Sequence, residues 1–308
     1  MLGIKAIAHY VPETKRDNLE QAKGLGRDAS FIKEKIGARF LPVLAKELQT
    51  SDLAVAAVRR LLRKCRLEVE DLDCLCLCTQ TPDLEGLPHT SAIVHSKLAC
   101  ASRCAAFDVS LGCSGYVYGL NILAGFMQKT DLNRGVLITA DPYSRIVDPE
   151  DANTALLFGD AATATLIEKD GIFALGAATF ATDGGRMDVL HKKNGRLHMN
   201  GRQVFNFAAT EVPRQVAQLL SASSLSKDEI DLFIFHQGSK FIVETLARKM
   251  RLPSEKVPIM LNNTGNTVSS SIPLILEKYL NREDCRTLLL SGFGVGLSVA
   301  SMILWRNE

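Results

Sequence analysis

The sequence has almost no excess charge of either sign. Lys and Arg number 36 against 34 Asp and Glu, a formal net charge of +2, which excludes bulk nucleic-acid binding as the main activity. A disulfide framework is also missing. Eight cysteines are spread over 308 residues, several inside apparent strands and without a pairing pattern, so a reducing cytoplasm is expected. Nothing at the start resembles a secretory leader: Met1–Tyr10 carries only Lys5, meets Pro12-Glu13-Thr14-Lys15-Arg16 and has no small-residue cleavage site. Low-complexity tracts are absent.

One shortage has two readings. Val109 to Gln128 holds no charged residue over twenty positions, close to the length that crosses a bilayer. It also holds Gly112, Gly115, Gly119, Gly125, Ser110, Ser114 and Asn121, and it follows a strand. A helix apolar all round is equally what the centre of a large protein requires. The expectation is a buried core helix and no membrane insertion.

What is present is ordinary for a globular enzyme: 46% hydrophobic and 23% charged residues. Strand and helix signals alternate. Strands are expected at Ile4–Val11, Leu72–Thr79, Ala105–Leu111, Gly135–Ala140 and Asp160–Glu168, with helices at Ser51–Arg66, Thr90–Leu98 and from about Ser114. The second half repeats the alternation: strands at Ile172–Thr179, Ile230–Phe235, Lys256–Met260, Thr287–Ser291 and Leu297–Trp305, and helices at Gly201–Ser221 (despite Pro213), Lys240–Met250 and Ser269–Tyr279. Interleaving of this kind indicates α/β layers. Two similar halves without a linker, 1–170 and 171–308, suggest a duplication around one core.

Several motifs fail on inspection. Cys74, Cys76 and Cys78 share one face of a strand, but a zinc knuckle and second ligand pair are lacking, so no metal is assigned. Cys65, Cys100, Cys104 and Cys285 also read as packing residues. Gly292-Phe293-Gly294-Val295-Gly296 has the wrong spacing for a dinucleotide fingerprint and precedes a strand. A tight turn bringing backbone N–H groups to a reacting oxygen suits it better. Ser114 does not meet the Gly-x-Ser-x-Gly elbow, because Gly115 follows it directly.

Cys113 is the stronger nucleophile candidate. It ends the run Phe107-Asp108-Val109-Ser110-Leu111-Gly112 where a helix begins, and the positive end of that helix favours a thiolate. By position alone the leading reading is an inert packing cysteine, as most cysteines in apolar segments are; His236 and Asn266 downstream change that. His236 follows an apolar strand, in the loop region where open α/β sheets bind ligands. Asn266 lies in Thr264-Gly265-Asn266-Thr267 before a helix, where a turn or cap residue is also at home.

Taken in order, these segments resemble the β-ketoacyl-acyl carrier protein synthase III family of the thiolase-like fold. The matching blocks are Gly112-Cys113-Ser114-Gly115-Tyr116, Phe158-Gly159-Asp160-Ala161-Ala162, Met199 to Phe205, His236-Gln237, Gly265-Asn266-Thr267 and Phe293-Gly294-x-Gly296. They span most of the chain. The resemblance implies a duplicated α-β-α-β-α sandwich and a homodimer. It implies Cys113 as the acylated nucleophile, with His236 and Asn266 as its partners. The Cys113 N–H and one from the Gly294–Val295 turn would hold an oxyanion. Acyl-CoA would prime Cys113 and malonyl-acyl carrier protein extend it with loss of carbon dioxide, with no cofactor required.

Departures from the family pattern bear on substrate. The usual His-Gln-Ala-Asn reads His236-Gln237-Gly238-Ser239, and Phe241 replaces an arginine associated with carrier-protein or CoA docking. Phe31 matches the tryptophan that stacks on adenine. Lys35 matches a nearby arginine but lacks its planar fork. Leu87 matches a position that enters the neighbouring subunit's acyl pocket, and Phe293 an aromatic gate. Arg248, Lys249 and Arg251 form a basic run that reads either as a solvated face or as a rim steering an acidic carrier protein. Arg59, Arg60, Arg63 and Lys64 read as plain surface. Two rival functions stand beside condensation: acyl transfer to an O, N or S acceptor with His236 as base, and a non-catalytic partner subunit.

Overall fold

The computed structural model describes residues 1–307. The first wing begins with β1 (Leu2–Tyr10). A small hairpin follows, β2 (Lys15–Asp17) with β3 (Phe40–Pro42). Between its strands lie α1 (Asn18–Gly24) and α2 (Ala29–Phe31), the latter continued by a π-turn over Ile32–Ile36. Then come α3 (Thr50–Cys65), β4 (Cys74–Cys78), α4 (Thr90–Leu98), β5 (Ala105–Val109), α5 (Gly115–Thr130), β6 (Arg134–Ala140) and β7 (Ala162–Lys169).

Local chemistry accounts for these elements. In α3, Leu53, Ala54, Ala57, Val58 and Leu61 recur at helical spacing and are buried, while Arg59, Arg60 and Arg63 are exposed. The Asp52 carboxylate closes its first turn by accepting from Gln49 N–H at 2.8 Å. Every residue of β4 is buried, because the strand runs between β5 and β6 with both faces covered.

The second wing holds β8 (Phe173–Thr182), the hairpin β9 (Leu190–Lys193) and β10 (Arg196–Met199), α6 (Gly201–Ala222), β11 (Leu232–Phe235), α7 (Lys240–Met250), α8 (Ser271–Tyr279), β12 (Thr287–Gly294) and β13 (Ser298–Arg306). One nine-stranded sheet runs β11-β12-β13-β8-β1-β7-β6-β4-β5. The same pattern of one parallel and two antiparallel neighbours occurs twice, in β4-β6-β7-β1 and in β11-β12-β13-β8, and β5 extends the first wing by one strand. Within the sheet, β1 and β8 join the wings through Gly3–Ala174 and Ile4–Phe173. Gly3 is required there, since a Cβ would stand 2.6 Å from the Phe173 carbonyl oxygen.

Three apolar clusters define the layers. One joins Tyr116, Leu120 and Leu123 of α5 and Ile272 and Leu276 of α8 to strands of both wings, so these helices form the central layer. A second packs α3 and α4 on the first wing, and a third packs α6 and α7 on the second. The uncharged stretch around α5 is thus a core helix. Among the described residues, no helix is long and apolar enough to cross a membrane.

Two expectations need correction. Lys256–Met260 is not a strand: Ser254–Lys256 is a 3-10 turn and irregular backbone follows. Pro258 has no N–H to donate to a ladder, and the Gln237 side chain serves as partner instead. Its Oε1 accepts from Met260 N–H at 3.0 Å and its Nε2 donates to Phe235 O at 2.8 Å. The tight turn placed over Gly292–Gly296 is also shorter than expected. Gly292 to Gly294 pair with β13, and only Val295–Leu297 turns.

Candidate active site

Cys113 sits between the end of β5 and the start of α5. Gly115 N–H donates to Gly112 O at 2.7 Å, closing the turn that presents the sulfur. The thiol is 5% exposed. Gly294, at the end of β12, lies directly against it: a Cβ there would stand 2.8 Å from Cys113 Sγ. Burial and the Asp141 carboxylate push the thiol up to about 12, against hydrogen bonds from the Val295 backbone and its own that pull it down. The thiolate expected from the helix terminus is therefore not the resting state. Cys113 precedes the first helical residue, and desolvation outweighs the dipole.

His236 is delivered by β11, whose ladder with β12 continues through His236 N–H to Ser291 O at 2.9 Å. The ring is 2% exposed and meets the edge of Phe293 at 5.4 Å. Nδ1 lies 2.7 Å from Ser271 Oγ. Burial pushes His236 down to about 3, offset in part by the Val268 backbone, so the imidazole is neutral.

Asn266 is held by its backbone, with N–H to Leu157 O at 2.9 Å and O accepting from Gly159 N–H at 3.1 Å. Its Oδ1 accepts from Val268 N–H at 2.9 Å. The carbonyl end of the amide is thereby occupied and Nδ2 is left as a donor.

Cys113, His236 and Asn266 line one cavity of about 360 Å³, together with Phe293 and Gly294. Phe31 and Lys35 line the same cavity, as does Phe241. The Lys35 ammonium stands 3.9 Å above the Phe241 ring, which stacks on Phe205 at 5.2 Å. Val295 is not on the cavity wall, but its backbone N–H helps to draw the Cys113 thiol down.

Other expected residues lie elsewhere. Leu87 is 86% exposed and off its own chain's cavity. Arg248 and Lys249 end α7, about 13 Å along the helix from Ser239 at its mouth-facing start. Lys249 donates to Ala209 O at 3.0 Å and Arg248 to Thr245 Oγ1 at 3.3 Å. They do not rim this cavity.

Comparison with known proteins settles the family. Residues 107–184 match the model of 3-oxoacyl-[acyl-carrier-protein (ACP)] synthase III, and residues 220–305 match the model of its C-terminal part. Beta-ketoacyl-[acyl-carrier-protein] synthase III of Streptococcus pneumoniae (strain Hungary19A-6) is 32% identical over 98% of both chains. The chain belongs to the 3-oxoacyl-[acyl-carrier-protein] synthase III family. A 2.1 Å crystal structure of a 3-oxoacyl-(acyl-carrier-protein) synthase III superposes with a TM-score of 0.92 at 32% identity, covering 98% of this chain and 99% of that one. The enzyme of that name from Aquifex aeolicus VF5 gives 0.92 at 28% identity, covering 99% and 100%. The duplicated, thiolase-like layering of the chain is that of this synthase III family.

Sequence reasoning missed part of the site. Buried Asp141, just after β6, accepts from Gln80 N–H at 2.8 Å and Ser269 Oγ at 2.5 Å, and desolvation raises its carboxyl to about 6. Tyr143 O–H donates to Gln80 Oε1 at 3.0 Å. Leu190 and Met199, from the β9–β10 hairpin, contribute to the cavity wall. A buried Asp ending an apolar strand was the available signal for Asp141. The hairpin strands are too short to show a period.

Proposed function

We propose that the chain is a β-ketoacyl-ACP synthase III-type condensing enzyme that uses Cys113 as its acyl carrier. An acyl-CoA enters past Phe31 and Lys35. The Cys113 sulfur attacks the thioester carbonyl, the carbon–sulfur bond to CoA breaks, and the thiol proton ends on the departing CoA. The oxyanion formed on the way is met by the N–H groups of Cys113 and Val295. Malonyl-acyl carrier protein then loses carbon dioxide, and the enolate carbon attacks the acyl-Cys113 carbonyl. The product is a 3-oxoacyl-ACP and a free Cys113.

His236 and Asn266 act in the second half. We assign the ring proton of His236 to Nε2, with Nδ1 accepting from the Ser271 hydroxyl 2.7 Å away, whose oxygen also accepts from Gln237 N–H at 3.3 Å. Nε2–H and Asn266 Nδ2–H are then two neutral donors to an enolate oxygen. A neutral ring suits this role, because it stabilises the developing charge without quenching the carbanion by proton transfer. Decarboxylation generates the nucleophile, so the reaction asks for no metal or redox cofactor. Leu87, exposed on the monomer, fits insertion into a second copy of the chain, and the chemistry fits a cytoplasmic setting.

The observation that carries this reading is the meeting of one thiol, one neutral imidazole and one free carboxamide N–H at a single buried cavity. Intact-protein mass after incubation with a series of acyl-CoA chain lengths tests the first half. Labelled carbon dioxide from malonyl-ACP, released only with the acylated protein, tests the second. Acylation without carbon dioxide release would replace condensation by transfer to another acceptor, and no acylation at all would point to a non-catalytic subunit.

A further inference from the structure

The loop between α4 and β5 brings together His95, Cys100 and Cys104, whose ligand atoms all lie within 4.8 Å of one another. None of them lines the catalytic cavity. The chain path explains the cluster. Ala99 adopts φ 57° and ends α4, and the N–H groups of Ala99 and Cys100 return to Ser96 O at 3.0 Å and His95 O at 3.1 Å. Cys100 is thereby folded back over His95. A second turn, Cys104 N–H to Ala101 O at 2.8 Å, brings in the third residue. His95 Nε2 lies 3.1 Å from Ala101 O. A carbonyl can only accept, so the contact orients the ring and fixes its tautomer, as a ligand's outer partner does.

We propose that His95, Cys100 and Cys104 form a zinc site, remote from the cavity, that fastens the end of α4 to the start of β5. Two thiolates and an imidazole suit zinc and not magnesium or calcium. Both cysteines are free. Zinc–sulfur bonds of ~2.3 Å at tetrahedral angles set two sulfurs about 3.8 Å apart, so the cluster closes by at most about 1 Å. His95 and Cys100 are half-buried and Cys104 is buried, which gives an entry side, and the fourth position there falls to water. Binding replaces the proton on each thiol and releases it.

The site has a structural counterpart at the other end of the same helix. Asp108 of β5 accepts from Thr90 N–H at 2.7 Å and Ser91 N–H at 2.8 Å. With zinc bound, α4 and β5 are clamped at both ends, just before the turn that presents Cys113.

The test uses the reduced, chelator-treated full chain titrated with zinc against a metallochromic competitor, and with cobalt as a spectroscopic probe. One zinc per chain is expected, with a thiolate-to-cobalt charge-transfer band and slowed amide exchange over residues 95–105. His95→Gln and Cys100→Ser, at half-exposed positions, should each weaken zinc binding at least about tenfold, whereas Cys285→Ser and Cys113→Ala should leave it unchanged. Absence of stoichiometric binding overturns the proposal, as does binding that survives the His95→Gln/Cys100→Ser double variant. So does ready formation of a Cys100–Cys104 disulfide in a chain that never takes up zinc.

Discussion

The floor and the mouth of the cavity are built by different means. At the floor, Cys113, His236 and Asn266 are each at most 5% exposed, and each is aimed by backbone contacts: the Gly294 strand end, the Ser291 carbonyl and the Leu157–Gly159 bridge. At the mouth, Phe31, Lys35 and Phe241 are half-buried or exposed; the Lys35 ammonium lies over the Phe241 ring and the Arg27 guanidinium over Phe31. The residue types that the family resemblance implies are kept at the floor and exchanged at the mouth. Atoms that must meet within a fraction of an ångström are fixed by the fold, whereas side chains that recognise a carrier can be exchanged without moving the backbone.

The sharpest way to break this contrast is at the floor. Cys113→Ala should abolish the acyl adduct and lower condensation by about four orders of magnitude or more. His236→Ala and Asn266→Ala should each retain self-acylation while lowering carbon dioxide release by roughly two to three orders. Equal losses in both steps would show that the two residues serve the nucleophile instead. Gly294→Ala places a methyl 2.8 Å from the sulfur and should cost about a hundredfold in acylation, with a lower melting temperature as the buried contact is overpacked.

Acid stability separates two buried floor groups by sign. His236 ionises near 3 in the folded chain against 6.5 when free. Its contribution is full above about pH 6.5 and is lost as the pH falls through that window, at up to about 1.4 kcal/mol per pH unit. Asp141, raised from 3.8 to about 6, does the reverse: the folded state binds the extra proton, so its penalty at neutral pH is relieved between about pH 6 and 4. Denaturant midpoints should therefore fall less steeply on acidification in His236→Ala and more steeply in Asp141→Asn. A common slope in both variants would contradict these environments. Between about pH 5 and 8 no rate inflection should come from His236.

The smallest effects belong to the mouth. Lys35→Ala removes a contact worth about 0.5–1 kcal/mol at a partly exposed ring and should raise KM for acyl-CoA only a few-fold, with kcat kept. Phe241→Arg should alter the preference between CoA and carrier-protein substrates, with the acyl-Cys113 step unchanged for a small thioester. A loss of kcat comparable to that of His236→Ala would erase the distinction between floor and mouth.

Much of this was legible in the chain. The α5 stretch without charge, the apolar β4, and the blocks around Cys113, His236 and Asn266 carry strong local patterns, and Gly201–Ser221 reads as a helix even through Pro213, where the structure has one over Gly201–Ala222. What escaped was short or set by distant partners. β2, β3, β9 and β10 span three or four residues each, below any usable period. The expected strand at Lys256–Met260 yielded to Pro258 and to the Gln237 side chain. Cys100 and Cys104 read as packing residues because His95 precedes them on a helix and meets them only after two turns.

Sequence order by itself carried the alternation of elements, the resemblance to the family, and the three side chains proposed for the chemistry, since residue type and spacing are local properties. Only the tertiary structure decided their protonation and aim. Burial, not the helix terminus, sets the resting Cys113 as a thiol and His236 as a neutral ring. Desolvation depends on everything packed around a group, and no window of sequence contains it.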